Sequence, residues 1–215
     1  MTALPILWSF RRCPYAMRAR LAVQSSGVPV ALQEILLRDK PDAFLATSPK
    51  GTVPVVNDAG TVIEESRDVM LWALQQSDPE GLLDMPEQGF ALLDQCDGPF
   101  KTALDHTKYA VRHPNLSESD EREKASVFLR DLNSRLTGQP FLFGQDRTIA
   151  DIGIAPFVRQ FANTDRAWFD AQGWPHLIEW LDRFLESAEF AAVMTKYTPW
   201  QQGDAPIIFP QRTTP

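Results

Sequence analysis

Short strand-like runs alternate with helix-forming stretches through the first 75 or so residues, and this alternation limits the fold more than any other feature of the chain. Leu4 to Phe10 is an apolar and aromatic run suited to a buried strand. Pro14 then opens a stretch carrying Ala16, Met17, Ala19, Leu21, Ala22 and Val23, and Gly27 just past Ser26 supplies a stop. Val30 to Leu36 reads as a second strand and Pro41 to Ala46 as a short helix. Val53 to Val56 and Thr61 to Ile63 flank Asp58-Ala59-Gly60, a hairpin turn. Ser66 to Gln76 follows as a helix, with Val69, Trp72 and Ala73 at helical spacing. The order β-α-β-α-β-β-α predicts a mixed sheet with helices packed against it.

The character then changes. Ser77 to Glu87 holds two prolines, a glycine and several acids, and reads as a linker between a domain of residues 1–77 and a second of residues 86–215. From Pro86 onward the pattern is helical, so the fold class is α/β plus all-α. Ser117-Glu118-Ser119-Asp120 and Thr148-Ile149-Ala150-Asp151 each carry the Ser/Thr-x-x-acid start of a helix, with Gly138 to Thr148 as a loop. Trp174-Pro175 opens another helix with Leu177, Trp180, Leu181 and Phe184 on one face. The Pro-rich tail after Pro199 reads as irregular.

Composition narrows the function. Acidic residues outnumber basic ones 28 to 21, for a net charge of −7, which argues against nucleic acid as a partner because phosphates need clustered Lys and Arg. No apolar run approaches the roughly 18 residues of a membrane span, so no membrane association is expected. Met1 to Ser9 is too short, and lacks the basic lead, for a signal peptide. Two cysteines, Cys13 and Cys96, make no disulfide framework, which points to a reducing cytoplasm. His106, His113 and His176 are scattered, so no metal site is expected.

Cys13 lies just after one strand and just before a helix. Unpaired N–H groups and the dipole at a helix N-terminus stabilise negative charge, so this thiol is expected to ionise more readily than the free value of about 8.5. Arg11 and Arg12 before it, and Arg18 and Arg20 after it, add positive charge. A thiolate is both nucleophile and leaving group in disulfide exchange. The same position also suits a small buried hydrophobe. Cys96, near Leu92, Leu93 and Phe100, reads as core filling.

Cys13-Pro14-Tyr15-Ala16, Thr52-Val53-Pro54-Val55 and Glu65-Ser66 occur in the order and spacing of the cytosolic glutathione transferases, and the chain resembles that family over its first 75 residues. The helical remainder, including Thr148-Ile149-Ala150-Asp151, resembles the family's all-helical C-terminal domain. The Cys-Pro-aromatic-Ala form looks most like the omega-type and dehydroascorbate-reductase-like branches. The resemblance implies a thioredoxin-like N-terminal domain, a homodimer, glutathione as co-substrate, and a small oxidised or electrophilic second substrate. It implies Cys13 as the catalytic residue and a cis bond at Val53-Pro54, with the Val53 backbone pairing with the cysteinyl part of glutathione. Glu65 would meet the ligand's α-amino group, and the helix start at Ser66 would meet its γ-glutamyl carboxylate. From composition alone Ser66 reads first as an N-cap, and Val53-Pro54 as a proline at a strand start. Lys40 would face the glycyl carboxylate, with Lys50 a competing cation. Tyr15, Phe100, Leu104 and Lys108 would wall a second pocket facing Cys13.

Ala16 stands where dithiol relatives of this architecture carry a second cysteine. A mixed disulfide at Cys13 therefore needs an external thiol, and the expected activity is thioltransferase or dehydroascorbate-reductase-like. Two other readings stay open. One is conjugation of glutathione to electrophiles, with Ser9 or Tyr15 supplying a hydroxyl to glutathione's own thiolate. The other is a non-catalytic adaptor.

Overall fold

The apolar runs near the N-terminus pair as a sheet in the computed structural model, which describes residues 3–211. β1 (Ile6–Ser9) and β2 (Val30–Glu34) are parallel, with Leu7 opposite Leu32 and Ser9 opposite Glu34. Parallel neighbours need a crossover, and α1 (Pro14–Ser26) supplies it. Pro14 occupies its first turn, where a missing N–H costs nothing. Gly27, at φ 68°, ends it, and its N–H returns to the Val23 carbonyl at 3.1 Å. α2 (Asp42–Thr47) leads to the hairpin of β3 (Val55–Asp58) and β4 (Thr61–Ile63), after which α3 (Ser66–Gln76) packs beside α1. β3 runs antiparallel to both β1 and β4. Leu7, Met17, Val55, Val69 and Met70 are fully buried in this layer, and so, unusually, are Arg18 and Arg20.

The rest of the chain begins as a stack of helices. α4 (Gln88–Gln95) runs into a single π turn, Cys96–Phe100, before α5 (Lys101–Lys108). Pro99 sits inside that turn and cannot donate a backbone hydrogen bond, which accounts for the local widening. Cys96 is fully buried there. After a 3₁₀ turn at Ala110–Arg112 come α6 (Glu118–Arg135), α7 (Ile149–Ala162), α8 (Arg166–Asp170) and α9 (Pro175–Glu186). Both expected caps form: the Ser117 hydroxyl accepts from the Asp120 N–H, and the Thr148 N–H and hydroxyl donate to the Asp151 carboxylate. Leu177, Trp180 and Leu181 bury one face of α9.

The chain divides into two compact units. One is Gly81–Ser187, and the other runs to Glu80 and takes up the chain again from Ala188. A helical domain over residues 86–215 with an irregular tail is therefore not what forms. α10 (Ala188–Val193) and β5 (Ile207–Phe209) belong with the sheet, where β5 pairs antiparallel with β2, Ala31 opposite Ile208. The resulting order is β4-β3-β1-β2-β5. The physical reason is the outer edge of β2, whose unpaired backbone groups and buried side chains need a cover. Phe209 is buried in that cover, and the Trp200 ring stands edge-on to Trp8 at 5.1 Å. Among the described residues no helix is long and apolar enough to cross a membrane.

Candidate functional site

The strand–turn–helix geometry decides where Cys13 sits. The turn Phe10–Cys13 closes with the Cys13 N–H on the Phe10 carbonyl at 3.0 Å, and Cys13 then becomes the N-cap of α1 in an extended conformation. Its own carbonyl accepts from the Met17 N–H at 2.8 Å, so the residue is locked to the helix. The half-buried thiol donates to the Val53 carbonyl at 3.7 Å. Val53 and Cys13 are forty residues apart in sequence and meet because β1 and β3 are neighbours, Trp8 opposite Val55. The Val53–Pro54 bond is cis. Ala16, one turn into α1, is fully buried against Trp8, Phe44 and Val53.

The residues expected to meet glutathione lie in the same unit as this pair. Gly51, at φ +63°, has no side chain in the space beside Lys40: a Cβ there would lie 3.3 Å from Lys40 Nζ. The lysine thus lies over the segment leading to Val53. Lys50 pairs with Glu65, both exposed, and the hydrogen bond that the ammonium donates to the carboxylate raises the Lys50 pKa. Glu65 is the N-cap residue of α3, and Ser66 opens the helix. The Ser66 hydroxyl is buried and accepts two hydrogen bonds from Arg18, from Nε at 3.0 Å and Nη2 at 2.8 Å. Arg18 therefore ties α1 to the start of α3, and its guanidinium also lies 5.2 Å from the Tyr15 ring centre. Arg18 reads in the sequence only as part of Cys13's positive surroundings, and its hydrogen bonds to Ser66 are what sequence reasoning misses. The only sequence signal for this is an arginine set among Ala, Met and Leu on a helix with no polar face.

The candidate walls of a second pocket fall differently. Tyr15 is half-buried in the first unit. Phe100 and Leu104 are packed inside the helical unit, Phe100 with its ring 4.8 Å from Phe128 and 5.9 Å from Phe161. Ala103, Leu104 and Thr107 form the buried side of α5, so Leu104 faces core and presents no wall. Lys108 is exposed and lies over the Tyr109 ring at 5.2 Å. Ser9, the other hydroxyl considered, is fully buried and accepts from Arg20. Among the described residues no group of three His, Cys, Asp or Glu side chains could hold a metal ion.

Residues 7–81 match the family model for a glutathione S-transferase N-terminal domain, and residues 121–183 match that for a glutathione S-transferase C-terminal domain. The chain is 31% identical over 147 residues to glutathione S-transferase DHAR2 of Arabidopsis thaliana, covering 67% of this chain and 64% of that one. It is 32% identical over the same length to a probable cytosolic glutathione S-transferase DHAR1 of Oryza sativa, with the same coverage. The chain thus spans a little under two thirds of these relatives. Among solved structures, a glutathione transferase family member from Pseudomonas fluorescens with two glutathione bound superposes with a TM-score of 0.75 at 18% identity, over 89% of this chain and 92% of that one.

Proposed function

This chain belongs to the glutathione S-transferase family, and from that premise we propose that it is a glutathione-dependent thiol transferase whose nucleophile is the Cys13 thiolate. The observation that carries this reading is Cys13 at the N-cap of α1, 3.7 Å from the carbonyl that precedes Pro54. A thiolate there meets the electropositive end of the helix, and a glutathione laid along the Val53 backbone brings its own sulfur to the same place. Lys40, Glu65 and Ser66 would hold the glycyl carboxylate, the α-amino group and the γ-glutamyl carboxylate. The solved relative with two glutathione bound supports that ligand. The likeness to transferases named DHAR favours the branch that Cys13-Pro14-Tyr15-Ala16 resembles. We place the protein in the cytoplasm as a homodimer, with one relative named cytosolic in support.

Two exchanges complete the reaction. The Cys13 thiolate attacks the glutathione sulfur of a mixed disulfide; a Cys13–glutathione disulfide forms, and the substrate leaves as a thiolate that takes a proton. A second glutathione thiolate attacks the glutathione sulfur of that adduct, releasing glutathione disulfide and restoring the Cys13 thiolate. Ala16 and the fully buried Cys96 offer no internal thiol to shortcut the second step. With a dehydroascorbate-type substrate, two glutathione molecules supply the two electrons and two protons.

Treatment with glutathione disulfide should add one glutathionyl group at Cys13, and reduced glutathione should remove it, as read by peptide mass spectrometry. Cys13→Ser should abolish disulfide and dehydroascorbate reduction. Strong conjugation of electrophiles with no reductase activity, unchanged in Cys13→Ser, would make this an ordinary conjugating transferase.

A further inference from the structure

Beneath the Cys13 turn lies a buried charged pair that neither the motifs nor the proposed reaction uses. Arg20 is 1% exposed and Glu34 6% exposed. They grip the two sides of one residue. The Arg11 N–H donates to Glu34 Oε1 at 2.6 Å, and the Arg11 carbonyl accepts from Arg20 Nη2 at 2.7 Å. Arg11 is a central residue of the turn that ends at Cys13, so both of its backbone polar groups are fixed by buried side chains. Arg20 also donates from Nη1 to the Ser9 hydroxyl and, from Nε at 3.1 Å, to the Val193 carbonyl. The Arg11 guanidinium donates to the neighbouring Met194 carbonyl at 3.3 Å. These carbonyls are at the C-terminal end of α10, where cations suit the helix dipole. Glu34 also fixes the tail, its own carbonyl accepting from the Trp200 N–H at 2.7 Å. Its second carboxylate oxygen is buried without a hydrogen-bond partner.

We propose that Arg20 and Glu34 are positioning residues for Cys13, holding its turn by the Arg11 peptide and acting on the thiol with opposite electrostatic sign. The proposal rests on Cys13 as the reactive sulfur. Hydrogen bonds alone would make the two residues equivalent props for the turn; charge makes them opposites. The Arg20 cation is within electrostatic range of both Cys13 and Glu34. Burial lowers the Arg20 guanidinium from its ordinary value, and Glu34 opposes that shift most strongly. Burial pushes the Glu34 carboxyl up, against the Arg11 N–H and the charges of Arg20 and Arg11. Tyr197, raised by its own burial, is the other titratable group facing the pair. An ionised Glu34 cancels part of the field that Arg20 exerts on the thiol, so removing that charge should favour the Cys13 thiolate, and removing Arg20's should disfavour it.

The test is the pH profile of iodoacetamide alkylation at Cys13 in the full chain, located by peptide mass, with buried Cys96 as the internal slow site. Glu34→Gln keeps the shape and the acceptor for the Arg11 N–H; its inflection should move down, raising the rate at pH 6 by up to about tenfold. Arg20→Met should move the inflection up by a similar amount, and Arg20→Lys, which keeps the charge without the fork, should largely restore the wild-type profile. Movement in the same direction in both variants, or none in Glu34→Gln, would overturn the proposal. Glu34→Gln decides it alone if Arg20→Met does not fold. Each variant is compared with the wild-type inflection wherever that lies, so a wild-type Cys13 with ordinary thiol reactivity counts against the thiol-transferase reading and leaves this comparison standing.

Discussion

Ser66 has one proton to donate and two lone pairs to offer, and Arg18 takes the lone pairs. What remains is the O–H, the part a ligand carboxylate can accept. Ser66→Ala should therefore do two things at once. Glutathione affinity should fall about tenfold or more, and folding stability should fall by about 1–3 kcal/mol as buried guanidinium donors lose their oxygen. Glu65 is different, because its partner Lys50 is exposed and water screens such surface pairs until they contribute little. Glu65→Ala should lower affinity to a similar degree with little change in thermal stability. Calorimetry beside thermal denaturation separates the two, and equal stability losses would show that the Arg18 contact does nothing for Ser66. Cys13, Val53 and Ser66 are legible in the sequence because short motifs mark them. Arg18 and Arg20 are legible only as charge near the thiol. The bond from Arg18 to Ser66 spans 48 residues and that from Arg20 to Val193 spans 173, and no local spacing announces either.

Among the elements, α7 has the most exacting start. Asp151 accepts from the Thr148 N–H and hydroxyl, the Leu142 N–H at 3.0 Å and the Trp180 indole at 3.1 Å, joining the loop before α7 to α9. Burial pushes its carboxyl up, against four hydrogen bonds that favour the charged form. Asp151→Ala should cost about 3 kcal/mol in chemical denaturation, because several buried donors lose their acceptor together. Asp151→Asn should also be costly, since its amide would turn N–H groups toward donors already present. A loss under about 1 kcal/mol in both would mean the loop re-forms without the carboxylate. The capping pattern that marks this start is readable from four consecutive residues, as is the hairpin at Asp58-Ala59-Gly60. β5 is not readable. Three residues between Pro206 and Pro210 are too few to show an alternating period, and the partner strand lies at the other end of the chain.

At the scale of the whole molecule, the unit holding Cys13 is assembled from both ends of the chain. A chain stopped at Ser187 would lack the Val193 carbonyl that Arg20 uses and the strand that covers β2. It should aggregate more readily, and its Cys13 should lose its rate advantage over Cys96 toward alkylation. A soluble truncated chain with wild-type Cys13 kinetics would show the return segment to be dispensable. The same arrangement has a temporal side. Ribosomes add about 5–20 residues per second, and domains generally fold as they emerge, N-terminal first. Here β1 to β4 must wait, one strand short, until Ile207–Phe209 have left the exit tunnel. The helical unit, encoded between the two segments of the thiol unit, can close while the thiol unit is still incomplete.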